Sequence, residues 1–188
     1  MLKVALIQLA STSSKTANLA HARSKVLEAA SAGAQLIVLP ECFQSPYAIH
    51  SFESYAESLS GPSCQMLSDV AKEARIYLVG GSIPERLEDR IYNTCCVYDP
   101  DGQRIAIHRK VHLFDIHVPD KIQFEESAVL SPGNALTHFE MPWGKIGLGI
   151  CYDLRFPEMA LLAARKEGVL AMIYPGKAYC NHDWNRCI

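Results

Sequence analysis

Apolar and polar positions change period several times along the chain, and each change predicts an element. Residues 2–9 form a short apolar run that reads as an opening strand. From residue 15 the apolar positions Leu19, Ala22, Val26, Ala29 and Ala30 recur at helical spacing, and Gly33 closes that helix. A second apolar run, 34–39, ends at Pro40 and predicts a buried strand. Residues 42–60 lack a period and read as a long loop, of the kind that lines pockets. Pro62 then starts a helix over 63–74, with Met66, Leu67, Val70 and Ala71 on its apolar face. A strand over 76–82 precedes a hairpin over 92–109, which turns at Asp99-Pro100-Asp101-Gly102. Residues 110–134 read as irregular. Strands over 136–140 and 145–150, a helix over 156–167 and a strand over 169–174 follow. Alternating strands and helices with hairpins between them predict an α/β layered domain.

Three segments carry candidate chemistry. In Lys145-Ile146-Gly147-Leu148-Gly149-Ile150-Cys151, an apolar strand runs straight into a cysteine, and Pro157 and Glu158 then suit the first turn of a helix. A side chain on such a turn projects from the sheet edge, and the turn's N–H groups face whatever it attacks. On this stretch alone, a buried structural thiol is the better reading of Cys151. A second strand end presents Glu41 after Pro40, beside Cys42 and Phe43, where a partly desolvated carboxylate suits a general base. Taken singly, it reads as a solvated loop glutamate. A third places Lys110 just past the hairpin, among His108, Arg109 and His112. That cluster reads either as a basic surface patch or as an ammonium aimed into a pocket to stabilise an oxyanion. Arg155 is open to two readings, a partner for a substrate carboxylate or a brace for Asp153 or Glu158, and the brace is favoured.

Taken together, a Glu, a Lys and a Cys each stand at the end of a β-segment. The motifs are Leu39-Pro40-Glu41-Cys42-Phe43, Arg109-Lys110-Val111-His112-Leu113 and Gly149-Ile150-Cys151-Tyr152-Asp153. Tyr92-Asn93-Thr94, Gly80-Gly81-Ser82 and Ser131-Pro132-Gly133 agree with them. In this pattern the chain resembles the nitrilase, or carbon–nitrogen hydrolase, superfamily over residues 1 to 176. The stretch from His112 to Ser127 is most similar to the omega-amidases.

The resemblance implies an α-β-β-α sandwich. It implies hydrolysis of the terminal amide of short omega-amido acids or keto acids through a Cys151 thioester, releasing ammonia. Glu41 would be the base, Lys110 and the Tyr152 backbone N–H the oxyanion donors, and Glu126 the second glutamate that orients the lysine. The adjacent Glu125 is the alternative by position, and the Phe124-Glu125-Glu126-Ser127 pattern favours Glu126. No metal and no organic cofactor is implied, and the partners are a small amide and water. A longer form would be a homodimer. An amidase of another branch, of the deaminated-glutathione type, and an inactive truncated product are the alternatives. Residues 177–188 match no family element, so the reading is an incomplete hydrolase domain over 1–176 with a divergent tail, poorly soluble on its own.

Composition narrows the setting. The chain has 188 residues, with 49% hydrophobic and 20% charged, enough for a substantial core in one domain. A net charge of −2 gives no reason to invoke nucleic acid or a membrane surface. Seven cysteines without a C-x-x-C spacing or a signal segment fit reduced thiols in the cytoplasm. The cluster Cys180, His182 and Cys187 lacks a fourth metal ligand at workable spacing.

Overall fold

The computed structural model describes residues 1–119 and 122–177. The segment 177–188, expected to be a divergent tail, and its Cys180, His182 and Cys187 therefore lie outside the described residues, apart from Lys177. Two β-sheets face each other, with helices outside them. Strand β1 (Val4–Leu6), β2 (Leu36–Val38) and β3 (Tyr77–Val79) are parallel neighbours. Beyond β3 lies the antiparallel strand β5 (Arg90–Tyr98), which pairs with β4 (Ile83–Leu87) and β6 (Arg104–Arg109). The second sheet has the order β11 (Ala171–Ile173), β10 (Gly144–Leu148), β9 (Thr137–Met141).

Helix α1 (Lys15–Ser31) starts at Ser14, whose hydroxyl accepts from the Ala17 N–H at 3.3 Å. It ends two residues before Gly33, whose φ of +89° turns the chain out of the helix. Helix α3 (Pro62–Ala74) has proline in its first turn and buries Leu67, Val70 and Ala71. Both helices cover one face of the first sheet, where Val26, Ile37, Phe43, Leu67 and Leu78 form one core. Leu36, Val38, Val79 and Val97 point the other way and meet Phe139, Ile146, Leu148 and Ile150 between the sheets. Neighbouring residues on one strand face opposite layers, as the two-residue period requires. So Cys95 belongs to the core between the sheets and Cys96 to the core under the helices. Helix α4 (Pro157–Glu167) crosses from β10 to the parallel strand β11, burying Met159 and Ala163. This is the α-β-β-α sandwich that the resemblance implies.

Three elements differ from the sequence reading. The loop over 42–60 contains a short helix, α2 (Ile49–Tyr55), folded over buried Phe52. It is too short for a periodic signal. Strand β4 holds Pro84, which is tolerated because β4 ends its path through the sheet. The irregular stretch 110–134 contains a second hairpin, β7 (Asp115–Val118) with β8 (Ile122–Glu125), and a 3-10 turn over Glu126–Ala128. Most of β7 is exposed, so no apolar face marks it in the sequence. The outer strands β1 and β11 leave Leu6 and Leu170 more than 70% exposed beside their edges. Among the described residues, no helix is long and apolar enough to cross a membrane.

Candidate active site

The site gathers where strand ends of both sheets meet. Past β2, Leu39 still donates to the Val79 carbonyl at 3.0 Å, and Pro40 then ends the ladder. Glu41 follows, fully buried. Cys42 is next, in the left-handed region at φ +45°, with its N–H donating to Ser82 Oγ at 3.0 Å. Gly81 makes this packing possible, because a Cβ there would strike the Pro40 carbonyl oxygen. Lys110 leaves β6 with its N–H on the Asn93 carbonyl at 2.8 Å, and its carbonyl accepts from Gly133 at 2.8 Å. Glu126 sits on the 3-10 turn after the second hairpin.

These three side chains form one buried ion cluster. Lys110 Nζ donates to Glu41 Oε1 at 3.0 Å and lies 2.9 Å from Glu126 Oε2. None of the three exposes its side chain to solvent. Asn93 Nδ2 donates to Glu41 Oε1 at 2.8 Å. Glu126 accepts from the Phe114 N–H at 2.7 Å and from the Tyr47 hydroxyl at 2.6 Å. Glu125 stands exposed one residue away, so Glu126 is the glutamate that meets the lysine. Burial works against the Lys110 charge, but the paired Glu41 and Glu126 carboxylates outweigh it and hold the ammonium above the usual lysine range. Burial raises the Glu126 carboxyl, with Lys110 opposing.

Cys151 opens a 3-10 turn over Cys151–Arg155 at the end of β10, with φ +44°. A non-glycine residue held there is uncommon and needs support from its surroundings. The support is visible: its N–H donates to the Pro175 carbonyl at 2.8 Å. Gly149 also leaves room for the Tyr174 ring, which a Cβ would meet at 2.5 Å. The thiol is half-buried. Burial and the neighbouring Glu41 carboxylate push it up to about 12, with Lys110 opposing. Glu41 Oε2 is buried and has no hydrogen-bond partner among the described residues. It is the acceptor left over for a proton. The Tyr152 N–H follows in the first turn of the 3-10 segment, where N–H groups lack an intrahelical partner.

The turn is braced by Asp153, which is fully buried. Its carboxylate accepts from the Ile150 N–H at 2.9 Å and the His112 N–H at 2.8 Å, and it contacts His108 Nε2 at 3.2 Å and His112 Nδ1 at 2.8 Å. Burial would raise this carboxyl, but these donors hold it below the usual aspartate range. The His112 ring stacks on Phe156 with centroids 3.6 Å apart. The basic cluster around Lys110 is thus not a surface patch: His108 serves Asp153, and Arg109 pairs with Glu85 through two bonds of 2.7 Å. Arg155 does not supply the brace; it is exposed and has no ion pair among the described residues. Asn93 and Asp153 stand in the sequence only as members of the motifs Tyr92-Asn93-Thr94 and Gly149-Ile150-Cys151-Tyr152-Asp153, with no acid–base role attached, and Tyr47 carries no local signal.

A cavity of about 870 Å³ opens beside the cluster, lined by residues of 6–11, by Pro40, Pro46 and Tyr47, and by Tyr174 to Lys177. Its wall includes the loop expected to line a pocket. Cys151, Lys110 and Glu126 lie beyond its lining, so the cavity adjoins the ion cluster and does not contain it.

The thiol's ionisation can be read directly. With a thiol near 12, alkylation of Cys151 by iodoacetamide is expected to rise about tenfold per pH unit from neutral to about pH 10. Mass spectrometry of the Cys151 peptide measures it; a plateau near pH 9 would mean an ordinary, solvated thiol.

Comparison with known proteins gives a consistent result. The carbon–nitrogen hydrolase family model matches residues 3–185. The chain is 55% identical over 176 residues to a hydrolase of Schizosaccharomyces pombe, covering 93% of this chain and 54% of that protein. It is 52% identical over 174 residues to the omega-amidase NIT2 of Homo sapiens, covering 93% of this chain and 63% of that one. The crystal structure of Saccharomyces cerevisiae Nit3, a member of branch 10 of the nitrilase superfamily, superposes with a TM-score of 0.83 at 44% identity. That superposition covers 96% of this chain and 65% of Nit3. The chain therefore spans somewhat under two thirds of the length of these relatives.

Proposed function

This chain belongs to the carbon–nitrogen hydrolase family, and we propose that its buried Glu41–Lys110–Glu126 cluster beside Cys151 hydrolyses the terminal amide of short omega-amido acids. The observation that carries this reading is the lysine held between two carboxylates next to a protonated thiol. Such a lysine cannot act as a base; it is a fixed cation for developing negative charge. Glu41 Oε2, left without a partner, is the proton acceptor.

The steps follow from that division of labour. Glu41 takes the proton from Cys151 as the sulfur attacks the amide carbon. The carbonyl oxygen gains the negative charge, and Lys110 with the Tyr152 N–H receives it. Glu41 returns its proton to the amide nitrogen, the C–N bond breaks, and ammonia leaves a thioester on Cys151. Glu41 then takes a proton from water, whose oxygen attacks the thioester carbon. The C–S bond breaks, the acid is released and the sulfur regains its proton. A thiol near 12 suits this sequence, because the proton is moved within each cycle and no standing thiolate is required. The omega-amido class of substrate rests on the likeness to omega-amidase NIT2. A cytoplasmic setting suits a mechanism that depends on a reduced thiol.

The test is ammonia release from a panel of short dicarboxylic acid monoamides, α-keto acid monoamides and deaminated-glutathione-type peptide amides. Preference for the first two groups is expected. Preference for the peptide amide would move the assignment to another branch of the family. Ammonia release from none, by chain shown to be folded, would overturn the reading for this chain.

A further inference from the structure

The segment that leaves β11 stitches the two halves of the site together. Its Ile173 carbonyl accepts from Gly149 at 3.0 Å, its Pro175 carbonyl from Cys151 at 2.8 Å, and its Gly176 carbonyl from Glu41 at 3.4 Å. One short stretch thus touches both the turn that carries the nucleophile and the turn that carries the base. Lys177 follows at once. Its ammonium donates to the Cys42 carbonyl at 3.2 Å, to the Ser45 carbonyl at 3.1 Å and to the Ser11 hydroxyl. Gly176 lies against the nucleophile, since a Cβ there would meet the Cys151 sulfur at 3.8 Å.

We propose that Lys177 is a positioning residue for the nucleophile: its side chain fastens segment 173–177 to the 42–45 turn, and the Pro175 carbonyl is thereby held on the Cys151 N–H. Two observations favour a clamp over the other obvious use of a cation in a cavity wall, which is to bind a substrate carboxylate. All three ammonium protons already have acceptors in the protein. Two of those acceptors are main-chain carbonyls of the turn that follows Glu41, so the bonds fix backbone geometry and do not point a charge at open space. The Lys177 main chain beside the thiol favours its ionised form, against the burial and the Glu41 charge that disfavour ionisation. Loosening the clamp should therefore make Cys151 harder to ionise.

The experiment reads the thiol itself, so its outcome is independent of the substrate assignment above. Iodoacetamide alkylation of Cys151 is followed from about pH 7 to pH 10 in the unaltered chain, in Lys177→Met and in Ser11→Ala. Lys177→Met is expected to slow alkylation roughly tenfold at every pH below the thiol pKa, equivalent to about one unit in that pKa. Ser11→Ala removes one of three acceptors and should slow it about two- to threefold in the same direction. It also keeps the proposal open to failure if Lys177→Met does not fold. An alkylation profile unchanged in every variant that folds would overturn the clamp. So would a Lys177→Met chain that raises KM for a monoamide with kcat and alkylation unchanged, because that pattern belongs to a substrate anchor.

Discussion

Cys151→Ala is expected to abolish amide hydrolysis, lowering turnover by about ten-thousand-fold or more, while shifting stability by less than about 1 kcal/mol. The first figure follows from chemistry: without the sulfur no thioester forms, and the acceptor on Glu41 has no proton to take. The second follows from the structure. The cysteine's backbone, with its φ of +44° and its bond to the Pro175 carbonyl, is set by the turn and its supports, and alanine meets the same conformation with the same constraint. Cys151→Ser should be nearly as inactive, because an alcohol ionises far less readily than a thiol. Ammonia release and urea unfolding measure the two effects. A covalent acyl adduct trapped on another cysteine, such as Cys42, would sink the assignment of the nucleophile.

Lys110→Met is expected to remove turnover and to cost stability as well, by about 3–5 kcal/mol near neutral pH, because it leaves charges buried without a partner. Glu41 and Glu126 both point at the ammonium, and neither reaches solvent. With methionine in place, nothing opposes the burial and the neighbouring carboxylate that already raise the Glu126 carboxyl. A carboxyl whose folded value exceeds its unfolded value contributes stability below the unfolded value and loses it as pH rises toward the folded one. The variant should therefore be most stable near about pH 4 to 5 and weaken toward neutrality more steeply than the unaltered chain, in which Lys110 opposes the rise of the Glu126 carboxyl. Urea midpoints at several pH values give the comparison. A variant whose midpoint stayed level with pH would mean that Lys110 does not neutralise the two carboxylates. In kinetics, kcat should fall more than KM rises, since the interaction grows as the oxyanion forms. A change in KM alone would make Lys110 a substrate anchor.

The three strand-end motifs were legible in the sequence because each is a local event with its own signal. An apolar run stops at Pro40 before Glu41; a hairpin ends at Lys110; a β-branched run meets Cys151 and then a helix start. The helices α1 and α3 were equally legible, since each holds its period for several turns and carries proline, serine or glycine at its ends. The hairpin of β7 and β8 was not, because a strand with both faces wet has no alternation to read. Glu126 was found only by motif likeness, and its burial depends on that unread hairpin.

What the sequence determined by itself was the order of elements, the residue types at three strand ends and the family they resemble, because those depend on short-range period and on turn chemistry. Only the tertiary structure decided how they combine. Asn93, Tyr47 and Phe114 come from separate elements to complete the shells of Glu41 and Glu126. Asp153 takes three of its four contacts from the Lys110 segment and none from the neighbouring Arg155, because His108, the His112 ring and the His112 N–H reach the buried carboxylate across the sheets while the Ile150 N–H reaches it from its own turn. Lys177, at the head of a segment that read as divergent, joins the site through bonds spanning 132 to 166 residues. Such pairings leave no trace in local pattern, since a buried polar group is satisfied by whatever donor the fold brings within about 3 Å, however far away in the chain that donor lies.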